Sequence, residues 1–140
     1  MSDTERVAHL QMIQTTIGRL SSNSFAVKSL AATVAAATLA LASSVPKNHG
    51  LMLCASIFLF VVFWALDARF LVSERAYRNL YERARAGKTE SFAMDFEQHK
   101  DSRAKFIHVI LSWSLSWFYG SLIFLVLVAL FILESGGGLL

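Results

Sequence analysis

Three apolar runs, at residues 25–45, 51–66 and 106–133, decide most of what this chain can become. A helix crosses the hydrocarbon core of a bilayer in about 20 apolar residues, at 1.5 Å of rise per residue. The first run meets that length. The second meets it once Ala68, Phe70, Leu71 and Val72 carry it past Asp67. The third is longer than one crossing needs and must tilt, protrude or break. A soluble domain of 140 residues needs no such runs to build its core. The charged fraction, 16%, also lies well below the roughly 25% of an average soluble domain. A soluble globule, a disordered chain and a nucleic-acid-binding domain are therefore excluded as first readings. The expected fold is all-α: three transmembrane helices, an N-terminal amphipathic helix, and a second span extended into a cytoplasmic helix.

Lysine and arginine set the expected orientation. Residues 1–28 hold three of them, 46–50 one, 67–105 nine, and 134–140 none. Counted near span ends, these residues mark the cytoplasmic side. The expected order is a cytoplasmic helix and linker at 1–24, a first span at 25–45 and an outer loop at 46–50. A second span at 51–72, a cytoplasmic helical segment at 73–105, a third span at 106–133 and an outer tail at 134–140 follow. The N-terminus is then inside and the C-terminus outside. A re-entrant third run, bent at Tyr119-Gly120-Ser121, would instead return the C-terminus to the inside. The segment 1–24 is polar and lacks the apolar core of a signal peptide, so the first span is expected to serve as an uncleaved anchor. Nothing resembles an organelle transit peptide, which points to a bacterial inner (plasma) membrane.

Each segment carries its own pattern. Val7, Leu10, Ile13, Ile17 and Leu20 recur every three or four residues, one face of a helix over 3–20. That helix would lie on the bilayer surface, pack on a partner helix, or act as a gate. Ser2 and Glu5 form a capping box, and Ser21-Ser22-Asn23-Ser24 is expected to break the helix and cap the first span. That span is rich in small residues. Ala32, Ala36, Ala40 and Ser44 repeat at spacing four, and Ser29, Thr33 and Ala37 form an adjacent strip. A second ladder, Ser112, Ser116 and Gly120, lies on the third span beside Trp113 and Trp117. Small residues allow the close backbone approach on which helix packing in lipid depends. The two ladders are expected to mate, within one subunit or between subunits. The bulky second span continues without proline or glycine to Ala86 and is expected to end at Gly87 as its C′ residue. Glu74 with Arg78 and Glu82 with Arg85 suit ion pairs on that helix. Asp95 with His99, and Asp101 with Lys105, suit a short helix leading to the third run.

The chain offers little chemistry. Its four histidines, His9, His49, His99 and His108, share no metal-binding spacing, and no nucleophile, phosphate-loop or dinucleotide motif is present. Cys54 alone supports neither an internal disulfide nor a Cys-based zinc site and reads as a small hydrophobe within a span. No catalytic residue, metal or cofactor is expected. Seven acids interleave with the nine basic residues of 67–105, which favours anionic lipid over nucleic acid as a contact. Asp67, at the inner end of the second span, is the most informative acid. It marks the span's end or pairs with Lys28, since ionisable groups at membrane depth are costly unless paired. No span carries a charge at its centre, which argues against a proton-coupled pump. A channel would have to be oligomeric, with Ser29, Thr33 and Ser44, or Ser112 and Ser116, facing water; Ser29 and Thr33 are the candidate pore-facing residues.

Three short motifs carry a resemblance. They are Asn23-Ser24-Phe25-x-x-Lys28, Asp67-x-x-Phe70-x-x-x-Glu74-Arg75-x-Tyr77-x-x-Leu80-Tyr81 and Phe92-x-Met94-Asp95. Over residues 20–95 the chain resembles the SLATT-type effectors, small bacterial membrane proteins associated with anti-phage and other conflict systems. The resemblance implies two spans followed by a cytoplasmic helix, and pore formation or membrane disruption after a nucleotide signal. The third run departs from that two-span pattern. No nucleotide-sensing domain is evident, so the sensor would be a separate cytoplasmic protein. Lys28, Asp67, Tyr77 and Tyr81 become the candidate switch residues of a homo-oligomer in the lipid bilayer. The competing expectation is a membrane anchor or accessory subunit that recruits a soluble partner through the same cytoplasmic helix.

Overall fold

The structure, a computed structural model, describes residues 3–44, 49–87 and 102–137, of which 102–105, 136 and 137 are described by backbone only. All of its regular structure is helical. In chain order the elements are α1 (Asp3–Ala42), α2 (His49–Arg85), α3 (Ser102–Ile110) and α4 (Trp113–Gly137). Three of them, α1, α2 and α4, are long and apolar enough to cross a membrane. The capping box at Ser2 and the expected helix around Asp95, His99 and Asp101 fall outside the described residues.

The expected break at residues 21–24 does not occur. One helix of 40 residues, α1, runs from the polar N-terminal segment into the apolar run. Serine and asparagine cost only a fraction of a kcal/mol each inside a helix, too little to stop it when a neighbouring helix runs alongside. That neighbour is α2, whose 37 residues also pass through the polar boundary without interruption. At 1.5 Å per residue the two helices are about 60 and 55 Å long, roughly twice the hydrocarbon thickness of a bilayer.

α1 and α2 pair antiparallel along their length, the most extensive contact in the molecule. Two bonds fix the register. Arg6 donates from its guanidinium to the carbonyl of Arg85, and Ser24 donates from its hydroxyl to Asp67. The interval from Arg6 to Ser24 on α1 equals the interval from Asp67 to Arg85 on α2, so the register does not drift between the two contacts. On the polar half, Ile13 and His9 are buried, and Leu10, Ile17 and Leu20 are half-buried, while Val7 stays exposed. Glu74 and Ala84 of α2 are buried on the same half. The expected pairs of Glu74 with Arg78 and Glu82 with Arg85 are present, at 2.7 and 3.8 Å. α2 ends where expected. Gly87 takes φ +69°, and its N–H donates to the carbonyl of Ala84.

The apolar half packs through a different set of small residues from the one the ladder spacing suggests. Ala31, Ala35 and Ala42 are the buried alanines of α1, clustered with Leu53 and Phe60 of α2. Ala32, Ala36, Ala40 and Ser44 are exposed. The sequence from Ala31 to Ala37 has alanine on neighbouring helical faces, so spacing alone leaves the phase open. α4 packs mainly on α2 and touches α1 only slightly. Its buried residues are Leu115, Tyr119 and Val126. Ser112, Ser116 and Gly120 are half-buried, and a Cβ added at Gly120 would meet nothing within 4 Å. The two small-residue ladders therefore do not mate within the chain.

The third run breaks, but not at Tyr119-Gly120-Ser121, where α4 is continuous. The break is at Leu111 and Ser112, between α3 and α4. The carbonyl of Ile110, freed at this elbow, accepts from the indole N–H of Trp64 at 3.0 Å and from the Ser116 hydroxyl at 3.4 Å. Ser112 begins the new helix, its carbonyl accepting from the N–H groups of Leu115 and Ser116. The elbow leaves α4 with 25 residues, close to what one crossing requires.

The phase of α1 gives a direct prediction. Ala35→Leu forces extra methylenes into the α1–α2 seam and should destabilise the folded chain by about 1–3 kcal/mol. Ala36→Leu, at the next position, should leave the monomer within about 0.5 kcal/mol of wild type. Thermal unfolding in detergent checks both, and equal losses would contradict the observed phase.

Candidate functional site

Among the described residues, polar side chains from three helices gather around one carboxylate. Asp67 lies on α2 where the apolar run ends and the charged segment begins. Its side chain is 0% exposed. An isolated buried carboxylate is penalised by several kcal/mol after relaxation. Three other helical positions answer it. Ser24 of α1 donates its hydroxyl to Oδ1. Lys28, one turn further along α1, places its ammonium 2.6 Å from Oδ2 and also donates to the Ser24 oxygen at 2.8 Å. Tyr119 of α4 donates its hydroxyl to Oδ2 at 3.2 Å. Both carboxylate oxygens are thus satisfied, and all three long helices are tied at one level.

Local packing holds each partner in place. Ser24 and Lys28 are one helical turn apart on α1 and share a face. Tyr119 is fully buried, stacked against Trp64 with centroids 6.0 Å apart and planes 10° apart, and edge-on to Phe118 at 5.1 Å. Trp64 is fixed in turn by its bond to Ile110, so the elbow, the tyrosine and the carboxylate form one connected arrangement. Lys28 alone opens outward, with 27% of its side chain exposed.

The cluster has a defined depth. On α1 it is set by the interval from Ser24 to the far end at Ala42. On α2 the interval from Asp67 back to His49 is the same, as is that from Tyr119 to Gly137 on α4. At 1.5 Å per residue each is about 27 Å, close to one hydrocarbon thickness. The cluster therefore sits where the apolar half meets the polar half.

The expected pairing of Lys28 with Asp67 is present. Ser24 and Tyr119 complete the site, and neither was legible as a partner. Ser24 read as a helix cap in a polar stretch, and Tyr119 as the neighbour of a glycine. Tyr77 and Tyr81 are half-buried further out on the polar half of α2 and are not part of the cluster. Ser29 and Thr33 are exposed on α1, and the Thr33 hydroxyl donates to the Ser29 carbonyl at 2.9 Å. Ser44 donates likewise to Ala40 at 3.3 Å. A shallow groove lined by Ala8, Gln11, Met12, Thr15 and Thr16 lies on the polar half of α1 and carries no charged group. Among the described residues no three His, Cys, Asp or Glu side chains are grouped to hold a metal ion. Chemically the cluster is a charge pair with two hydroxyl donors that ties the helices together. Comparison with family models, with curated proteins and with solved structures finds no match.

Breaking one side of a buried pair costs more than removing both. Lys28→Met should destabilise the chain by about 3 kcal/mol or more. Lys28→Met with Asp67→Asn should recover a large part of that loss. A double-mutant cycle measured by unfolding in detergent tests this, and purely additive losses would show that the two residues do not act as a unit.

Proposed function

We propose that the protein is a non-enzymatic effector of the bacterial inner membrane that works as a homo-oligomer and permeabilises the membrane when triggered. The observation that carries this reading is the polar cluster at the boundary of two continuous helices. A signal received on the polar half of the α1–α2 pair has a rigid path to the spans, and that path passes through Asp67. Lysine and arginine are concentrated on the polar half, which supports a cytoplasmic position for that half and the N-terminus, with the end of α4 outside. The resemblance to SLATT-type effectors supports a role in anti-phage defence, with the trigger supplied by a separate sensor protein. The exposed ladder of Ala32, Ala36, Ala40 and Ser44 supports self-association, since it is left uncovered by the chain's own helices and permits close backbone approach. Ser29 and Thr33, also exposed on α1, would line the opening, while Tyr77 and Tyr81 lie on the half that meets the sensor.

A second reading is favoured by the bonds of Thr33 and Ser44. Their hydroxyl protons are already committed to carbonyls of their own helix, so they need no water-filled path. In this reading the chain is a membrane anchor that recruits a soluble partner through the polar half of α1 and α2.

A membrane-potential dye separates the two in cells that express the protein with its neighbouring genes under the activating condition. The effector reading expects depolarisation in wild type and its loss in Asp67→Ala, with the variant still in the membrane. Sustained polarisation while the cells respond normally would reject the pore and leave the anchor.

A further inference from the structure

Trp113 and Trp117 are 79% and 69% exposed at the start of α4. They lie one turn apart and stack face to face, with centroids 5.3 Å and planes 9° apart. Trp64, by contrast, is half-buried and spends its N–H on Ile110. Two large indoles on an open face need an environment that takes apolar rings and also offers acceptors to their N–H groups. The interfacial layer of a bilayer is such an environment, whereas bulk water and the hydrocarbon centre each satisfy only half of the requirement.

Depth makes the same assignment independently. Trp117 and Trp113 precede Tyr119 on α4 and lie about 3 and 9 Å outward of it along the axis. Added to the roughly 27 Å from Tyr119 to the far end of α4, this puts them about 30 and 36 Å from that end. A hydrocarbon core of about 30 Å, flanked by headgroup layers that bring the total to about 40–45 Å, has its near interface at that depth. Arg69 falls in the same layer, just outward of Asp67 on α2. It is exposed, and its guanidinium is held 5.7 Å over the ring of Phe106. Ile107, near the end of α3, and Leu111, at the elbow, are also exposed.

We infer that the α3–α4 elbow, with Trp113, Trp117, Leu111, Ile107 and Arg69, is a lipid-binding collar seated in the headgroup layer of the leaflet on the polar side. The indoles occupy the glycerol and carbonyl zone, and Arg69 faces the lipid phosphates. The collar fixes how deep the bundle sits, and so keeps the Asp67 cluster at the hydrocarbon edge. This holds whether or not an oligomer conducts.

The test uses the full chain in phosphatidylcholine vesicles whose acyl chains are brominated either near the headgroup or near the chain end. The signal of Trp113 and Trp117 is the wild-type fluorescence minus that of Trp113→Phe/Trp117→Phe, in which only Trp64 emits. A Trp64→Phe variant supplies the same signal directly. The collar predicts quenching that is stronger from bromines near the headgroup than from those at the chain end, with partial quenching by aqueous iodide. Stronger quenching from the chain-end bromines would place the pair in the bilayer centre. Quenching by iodide alone would place it in water. Quenching by neither would show it covered by protein, such as a second copy of the chain. Each of these three results overturns the collar.

Discussion

The fold depends on what it takes to keep a carboxylate at the edge of a bilayer. Asp67 is fully buried, and in that position an unanswered charge costs more than the packing around it returns. The solution draws one partner pair from α1 and one hydroxyl from α4. Ser24 and Lys28 must then face α2 at a single register, and Tyr119 must reach it from the other side. Little else in the spans is so specific. Alanine against leucine or phenylalanine can slide by a turn at modest cost, whereas a charge pair cannot. The matching separation of the Arg6 and Ser24 contacts along both helices follows from that fixed point.

The same point divides the molecule into two working halves. On one side lie about 27 Å of paired helix with buried polar groups such as His9 and Glu74. On the other lie three apolar helices with an alanine seam and an open, small-residue outer face. Because α1 and α2 are continuous through the boundary, a displacement of one half cannot be absorbed by a loop. It must be borne by the cluster or passed on. That mechanical property is shared by the effector and the anchor readings. They differ in whether the spans respond by opening or simply hold the paired helices at the membrane.

Some of this was legible in residue order. Run lengths and the uninterrupted stretch from Leu51 to Gly87 specify α2 almost completely, because helix length and a C′ glycine are local properties. The Lys28–Asp67 pair was legible because two charges at the same-side ends of adjacent apolar runs have few other partners. The phase of α1 was not, since alanine recurs on neighbouring faces between Ala31 and Ala37, and which face is covered depends on α2. Ser24 and Tyr119 were hidden for a related reason. A serine among serines and a tyrosine beside a glycine acquire their roles only when another helix brings Asp67 to them. The elbow at Leu111 and Ser112 has no local signature, because no glycine or proline marks it. It is held by Trp64 and Ser116, whose bonds to Ile110 lie outside the regular helical pattern.

The central claim is that one carboxylate couples three helices. Hydrogen exchange, followed by mass spectrometry on the protein in lipid nanodiscs, tests it most directly by comparing wild type with Asp67→Ala. Coupling predicts faster exchange in the variant around Ser24, Asp67 and Tyr119 together, because each helix loses its tie at the same level. Faster exchange confined to α2, with α1 and α4 as protected as in wild type, would contradict it.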